Sequence, residues 1–385
     1  MSLNRIIVVL VVLITGIFFA ASGSFAGKPG GKCSPWPSCK DDGGDPLPPP
    51  SDESCDVGSE FPSFPSFAYT TRINDGKRGT HSGTNLHLAN SDGSCSIIIY
   101  TQNDRELLIP SYRQIGNAGR IVWSQSGLGN LDRRDPDRGK AVVRMLDFSL
   151  NNGALDGESS VSTVYMYPGS NPNGMGQAEL SSDGSVVFFG QHETLENGES
   201  LASLYSVDLS ICTSLCSAKL IIPLGGQAEM AINPSGERER IYRTSSGGGR
   251  GVTFIEATET GYSDIRTVVL PEELGTSKIT SISVGNWDHN SDGTANEVIA
   301  IALNFVLNTI YVIDVSACAA SNGLPQLSCL ASGESSILRS GIEGGRTSFQ
   351  GEDLLLGNGD NIEFLDTESL NTTILLQGEW PDSAE

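Results

Sequence analysis

An all-β fold, a six-bladed β-propeller of four-stranded antiparallel blades, is predicted by three features of this chain. Short β-branched and aromatic runs recur from Phe61 onward, separated by clusters of Gly, Asn, Asp and Ser. No segment shows sustained helical periodicity. A unit of roughly fifty residues, long enough for four strands and their turns, repeats along the body of the chain.

The N-terminus comes first. A polar opening with Arg5 leads into an apolar run from Ile6 to about Ala21, then small residues at Ser24 and Ala26. This is the pattern of a signal peptide, residues 1–26, cut after Ala26. An uncleaved anchor is the alternative. Gly27, not cysteine, follows the cut, which argues against a lipid anchor. Residues 27–60 carry Pro48-Pro49-Pro50 and several glycines and read as a linker. Residues 61–385 hold the propeller.

Eight cysteines suit a protein working outside the cytoplasm, secreted or periplasmic. They fall in close pairs: Cys33 with Cys39, Cys212 with Cys216, Cys318 with Cys329, leaving Cys55 for Cys95. No histidine lies near Cys212 and Cys216, so loop staples are expected rather than a metal site. A formal charge of −22 argues against nucleic acid, whose phosphates need a basic footprint, and against anionic membrane surfaces. With no span left after signal cleavage, a soluble monomer is expected.

The repeat is visible in the text. Gly176-Gln177-Ala178-Glu179-Leu180 is echoed by Gly226-Gln227-Ala228-Glu229-Met230. Looser copies start at Gly119-Arg120, Ser277-Lys278 and Gly345-Arg346. Pro65-Ser66-Phe67 serves as a first start, with spacings of roughly 55, 57, 50, 51 and 68 residues. A second signature, apolar alternation ending in Asp, appears at 204–208, 310–314 and 362–366. Six starts imply six blades. The last unit is short by about one strand, so 60–69 is expected to lend it an outer strand and close the ring.

At these residues the chain resembles the TolB-type six-bladed β-propellers. Leu180-Ser181-Ser182-Asp183-Gly184-Ser185-Val186-Val187-Phe188-Phe189 matches the first half of that family's blade pattern, and Leu86-His87-Leu88-Ala89-Asn90-Ser91-Asp92-Gly93 the second. The likeness covers about residues 61–380 as architecture. It implies the propeller alone, without the family's N-terminal domain.

One loop is chemically distinctive. In Gly285-Asn286-Trp287-Asp288-His289-Asn290-Ser291-Asp292-Gly293-Thr294-Ala295-Asn296-Glu297, oxygen-bearing residues alternate around a glycine. Calcium takes six to eight oxygens, and Asp288, Asn290 and Asp292, the Thr294 carbonyl and Asn296 stand at positions one, three, five, seven and nine. The spacing resembles the FG-GAP calcium hairpins of integrin-type propellers, with Glu297 in reserve to supplement the weaker ninth position. The expected cofactor is one structural calcium. The competing reading is a polar turn whose carboxylates cap backbone amides.

A second constellation follows from the repeat alignment. Arg120, Gln177, Gln227, Lys278 and Arg346 each open a repeat and are expected at one mouth of the central channel. Three cations there would hold an anionic ligand or a partner's carboxylates; the competing reading pairs them with Glu179, Glu229 and other acids. The charged run 131–140 reads as an inserted loop and 244–251 as a hairpin tip. No nucleophile motif is present, and the four histidines share no repeat position. The expected function is a binding scaffold for a protein or small ligand at a loop face or channel mouth. The alternative is a calcium-dependent lactonase-like or lyase-like enzyme.

Overall fold

The computed structural model describes residues 64–74, 81–102, 109–125, 140–151, 154–156, 160–169, 175–194, 200–222, 230–233, 239–244, 251–263, 265–269, 278–288, 293–304, 309–315, 329–330, 335–340 and 346–383. The expected signal peptide and linker lie outside them, as do the 131–139 and 245–250 loops. No helix among the described residues is long and apolar enough to cross a membrane.

The strands in chain order are β1 (Phe67–Asn74), β2 (His81–Ala89), β3 (Ser96–Gln102), β4 (Ser111–Ile115), β5 (Ala118–Gln125), β6 (Val142–Asn151), β7 (Ala154–Leu155) and β8 (Ser160–Met166). Next come β9 (Met175–Leu180), β10 (Val186–Thr194), β11 (Ser200–Asp208), β12 (Lys219–Ile222), β13 (Met230–Ile232), β14 (Arg240–Thr244), β15 (Val252–Thr258), β16 (Gly261–Tyr262) and β17 (Arg266–Val269). The last are β18 (Lys278–Trp287), β19 (Asn296–Asn304), β20 (Thr309–Asp314), β21 (Cys329–Leu330), β22 (Ser335–Ser340), β23 (Thr347–Gln350), β24 (Asp353–Asn358), β25 (Asn361–Leu365), β26 (Thr372–Gln377) and β27 (Glu379–Ser383).

They form six sheets, the six expected blades. Blade 1 is β27-β1-β2-β3, blade 2 is β4-β5-β6-β8, blade 3 is β9 to β12, blade 4 is β13-β14-β15-β17, blade 5 is β18-β19-β20-β22 and blade 6 is β23 to β26. Short β7 and β16 add hairpin extensions to β6 and β15, and β21 pairs in parallel on the outer edge of β17. The first strands touch in a closed circuit, β27 to β4, β9, β13, β18, β23 and back to β27.

Six apolar seams hold the ring, each between neighbouring blades. Alternation along a strand sends its side chains into two different seams. On β19, Ile299, Ile301 and Leu303 pack against blade 4, whereas Val298 and Ala300 pack against blade 6. A middle strand is therefore buried on both faces, which is why its sequence is nearly continuous in apolar residues. Each such Val, Ile or Phe contributes about 1.5–3 kcal/mol when buried. The repeated Asp signature falls on equivalent strands: 204–208 in β11, 310–314 in β20 and 362–366 at β25, each third from the centre of its blade.

Ring closure differs from the expected arrangement. Blade 6 is complete between Thr347 and Gln377, and needs no strand from the N-terminus. Instead the C-terminal β27 supplies the innermost strand of blade 1, pairing Phe67 with Ser383 and Ala68 with Asp382. Its Pro381 lacks an amide hydrogen, which an innermost edge strand tolerates; the register is also irregular between Ala68 and Thr70. Blade 1 thus joins both ends of the propeller. A chain ending at Gly378 is expected to lose cooperative thermal unfolding and to associate through the exposed β1 edge, checked by calorimetry and size exclusion; an unchanged melting transition would contradict this closure.

Candidate functional site

The six first strands surround a central cavity of ≈ 400 Å³. Every blade contributes: Asp382 from β27, Arg113 from β4, Glu179 from β9, Ile232 from β13, Ser283 from β18 and Phe349 from β23. Arg346, one residue before β23, also lines it. Ile282, Val284 and Phe349 add apolar surface to the lining. A mostly apolar space with a few converging polar groups is the ordinary form of a small-molecule site.

The charged wall is a compact network. Arg346 and Glu179 are only 3 % and 2 % exposed and form an ion pair. Arg346 also reaches Asp382 at 3.3 Å and donates to the Pro110 carbonyl. Ser111 donates its hydroxyl to Glu179 at 2.6 Å, and Gln177 donates its amide to the same carboxylate. Asp382 accepts the Tyr112 amide at 2.7 Å and lies 3.7 Å from Arg113. Arg113 donates to its neighbour's carbonyl, while its Nε, which has almost no accessible surface, has no hydrogen-bond partner among the described residues.

Burial pushes the Glu179 carboxyl up to about 7. The Arg346 guanidinium opposes that rise, the Asp382 charge adds to it, and Arg113 and the Ser111 hydroxyl oppose it more weakly.

The sequence-derived channel residues take different places. Gln177 and Arg346 meet at Glu179, as the pairing reading of that position has it. Arg120 does not open a first strand: it sits on β5, the second strand of blade 2, where it pairs with Asp147 at 2.7 Å and donates to the Gly184 carbonyl. Its glycine neighbour misled the alignment. Gly119 is needed because the Phe148 ring covers it, and a Cβ there would meet that ring at 2.1 Å. The Lys278 backbone opens β18 as aligned; its side chain and all of Gln227 lie outside the description. Arg113, Ser111 and Asp382 were missed. A usable signal for the first two existed in Gly116-Asn117, a two-residue hairpin turn between alternating strands.

In the loop after β18, the described residues Asp288, Thr294 and Asn296 are not among those lining the cavity, although Asn286 near the end of β18 is. Asn290 and Asp292 lie outside the described residues. Gly293, at φ +84°, donates its amide to Asp288 Oδ2 at 2.8 Å. Glu297, expected in reserve for a cation, is turned elsewhere: it pairs with Arg240 and accepts the Tyr242 hydroxyl at 2.6 Å, bridging blades 4 and 5. Both of its oxygens are engaged, so it does not fit a calcium set in this conformation. The described side chains contain no cluster of three or more His, Cys, Asp or Glu suited to a metal.

Of the expected cysteine staples, Cys212–Cys216 is formed. Cys95 is disulfide-bonded to a partner outside the described side chains. His87 is half-buried and stacked against Tyr69, with ring centroids 4.5 Å apart, and desolvation lowers it to about 4. It lies on β2, away from the central cavity.

Neither a known protein family nor a curated protein matches the chain. Solved structures of similar fold include Trypanosoma rangeli sialidase, at 13 % identity and TM-score 0.41, covering 80 % of this chain and 54 % of that one. The chain thus spans about half the length of that sialidase. Another is the structure of YjhT, at 10 % identity and TM-score 0.44, covering 82 % and 98 %. An oligogalacturonate lyase in complex with manganese is 9 % identical with TM-score 0.39, covering 80 % and 78 %. Likenesses this remote say nothing about chemistry.

The Glu179 environment sets a pH dependence. A carboxyl raised from 4.5 to about 7 on folding makes the native state hold the extra proton. Its contribution therefore lowers stability as pH rises through that window, by on the order of a few kcal/mol, and is flat above it. Glu179→Gln is expected to remove this slope in urea unfolding between about pH 5 and 8; equal slopes in both proteins would contradict the assignment.

Proposed function

We propose that this protein is a secreted or periplasmic binding scaffold whose ligand site is the central cavity, and that the ligand is a small anion. The observation that carries this reading is Arg113. Its side chain, like that of Arg346, is buried at the cavity wall, so the cavity is lined by two guanidinium groups whose positive charge an anion would meet. The Cys212–Cys216 staple and the bonded Cys95 support an oxidising compartment.

The enzyme alternative needs a metal held at the channel by residues of several blades. The buried channel carboxylates, Glu179 and Asp382, are taken up by Arg346, Ser111 and the Tyr112 amide, which favours the scaffold; Glu352, which also lines the cavity, is exposed. Equilibrium dialysis against a small-molecule extract, read by mass spectrometry, tests it. Wild type is expected to retain anionic compounds that Arg113→Ala does not; identical retained fractions would contradict the site.

The calcium loop is proposed with a smaller ligand set than expected, Asp288, Asn290, Asp292, Thr294 and Asn296, without Glu297. Saturating calcium at about 100 times its Kd would add about 2.7 kcal/mol to stability relative to chelator, and Asp288→Ala would erase the difference. A wild-type melting temperature that ignores calcium leaves the loop a polar turn.

A further inference from the structure

We propose that the Cys212–Cys216 disulfide is a thiol–disulfide exchange site, opened by a dithiol that attacks at Cys212, and that its opening releases a clasp between blades 2 and 3. The two cysteines stand in the connection between β11 and β12 of blade 3. That connection does more than turn the chain. The Leu215 amide donates to the Thr163 carbonyl at 2.8 Å, and the Cys216 amide to the Val164 carbonyl at 2.6 Å. Thr163 and Val164 belong to β8, the outermost strand of blade 2, so the stapled loop covers part of that blade's sheet edge. Cys216 also joins the apolar seam between the two blades, with Val143, Val164 and Tyr165 of blade 2 and Leu209 of blade 3.

Blade 5 reaches back onto its predecessor in the same way. Its connection from β20 to β22 places β21 on β17, the outer strand of blade 4. In blade 3 the reaching loop is held in shape by its staple, which joins residues only four apart in sequence. Leu215 has φ 50°, a left-handed conformation that a residue with a Cβ keeps only when its surroundings impose it. Its side chain is 65 % exposed, so packing does not impose it. The disulfide ring and the two amide bonds to β8 do. Once the ring opens, Leu215 relaxes and both amides leave the edge.

The two sulfurs are not equivalent. Cys216 is 7 % exposed within the seam, whereas Cys212 is half-buried at its rim, between exposed Ile211 and Thr213. A thiolate from solvent therefore meets Cys212 first. It bonds to Cys212 Sγ as the Sγ–Sγ bond breaks, and the electron pair leaves on Cys216, which takes a proton from water. A neutral thiol behaves as a small apolar group and fits the seam. A monothiol goes no further, because Cys216, held beside the mixed disulfide by the short loop, expels it again. A dithiol completes the step. Its second thiolate attacks its own bonded sulfur, Cys212 leaves as a thiolate and is protonated, and the reagent departs as a cyclic disulfide. Two electrons pass from the dithiol to the cysteine pair.

The whole protein treated with dithiothreitol, or with glutathione at equal thiol concentration, then alkylated and mapped by peptide, tests this beside hydrogen exchange of the Leu215 and Cys216 amides. Dithiothreitol is expected to free both cysteines and to speed exchange of both amides by about tenfold or more, with the β19 amides unmoved. Glutathione is expected to leave the pair closed. Cys212→Ala with Cys216→Ala is expected to show the fast Leu215 amide without reductant and no further change with it, which separates this staple from other disulfides the reagent opens. In single variants, Cys212 left by Cys216→Ala is expected to be alkylated about tenfold faster than Cys216 left by Cys212→Ala. Should the variants fail to fold, the wild-type alkylation and exchange decide the matter alone. Two alkylated cysteines with unchanged amide exchange overturn the clasp, and a pair that dithiothreitol leaves closed overturns the exchange site. Equal opening by glutathione overturns the dithiol class, and equal alkylation rates in the single variants overturn attack at Cys212.

Discussion

One guanidinium group ties together four of the six blades. Arg346 leads into blade 6, pairs with Glu179 of blade 3 and Asp382 of blade 1, and donates to the Pro110 carbonyl at the entrance to blade 2. Removing these groups from water carries a large desolvation cost, so their mutual pairing is a weak source of net stability. Its consequence is geometric. Removing the Arg346 charge would leave the buried Glu179 and Asp382 carboxylates without their shared partner, which fixes where these first strands stand around the channel. The apolar seams supply the driving force, and this network supplies the register.

The network exists only when the ring is closed. Asp382 belongs to β27, the last strand of the chain, which pairs with β1, the first. Its carboxylate accepts the Tyr112 amide, while the following amide, that of Ser383, donates to Ser348 of blade 6. Closure therefore carries a charge into the channel at the moment it seals the sheet edge. A propeller lacking this strand would lose both its velcro and one wall of its cavity. Fold and site depend on the same five residues.

Much of the architecture was legible in the text. The fifty-residue unit, the third-strand Asp signature and the two Asp-Gly turns at Gly93 and Gly184, both at positive φ, all appear in the ring. The alignment slipped by one strand in the first two units. There Pro65-Ser66-Phe67 and Gly119-Arg120 introduce second strands: blade 1 takes its first strand from the C-terminus, and in blade 2 a glycine kept for the Phe148 ring imitates a blade start. Gln177 and Arg346 were placed at the channel because their blades obey the repeat. Arg113 was hidden by the slip. Asp382 was hidden for a different reason: a closing strand lies outside the repeat, and only long-range pairing gives it a role. Glu297 shows the limit of spacing arguments, since its position after the loop cannot reveal that Arg240 and Tyr242, more than fifty residues earlier, claim its carboxylate.

Burial raises the Glu179 carboxyl, and ring closure adds to that rise by placing the Asp382 charge beside it. Carbon-13 NMR of the glutamate side-chain carboxyls, followed through a pH titration in wild type and in Asp382→Asn, measures this directly. The account predicts that Glu179 titrates near 7 in wild type and lower once the Asp382 charge is gone. A Glu179 resonance that titrates in the ordinary carboxylate range in wild type, or that does not move in the variant, would contradict it.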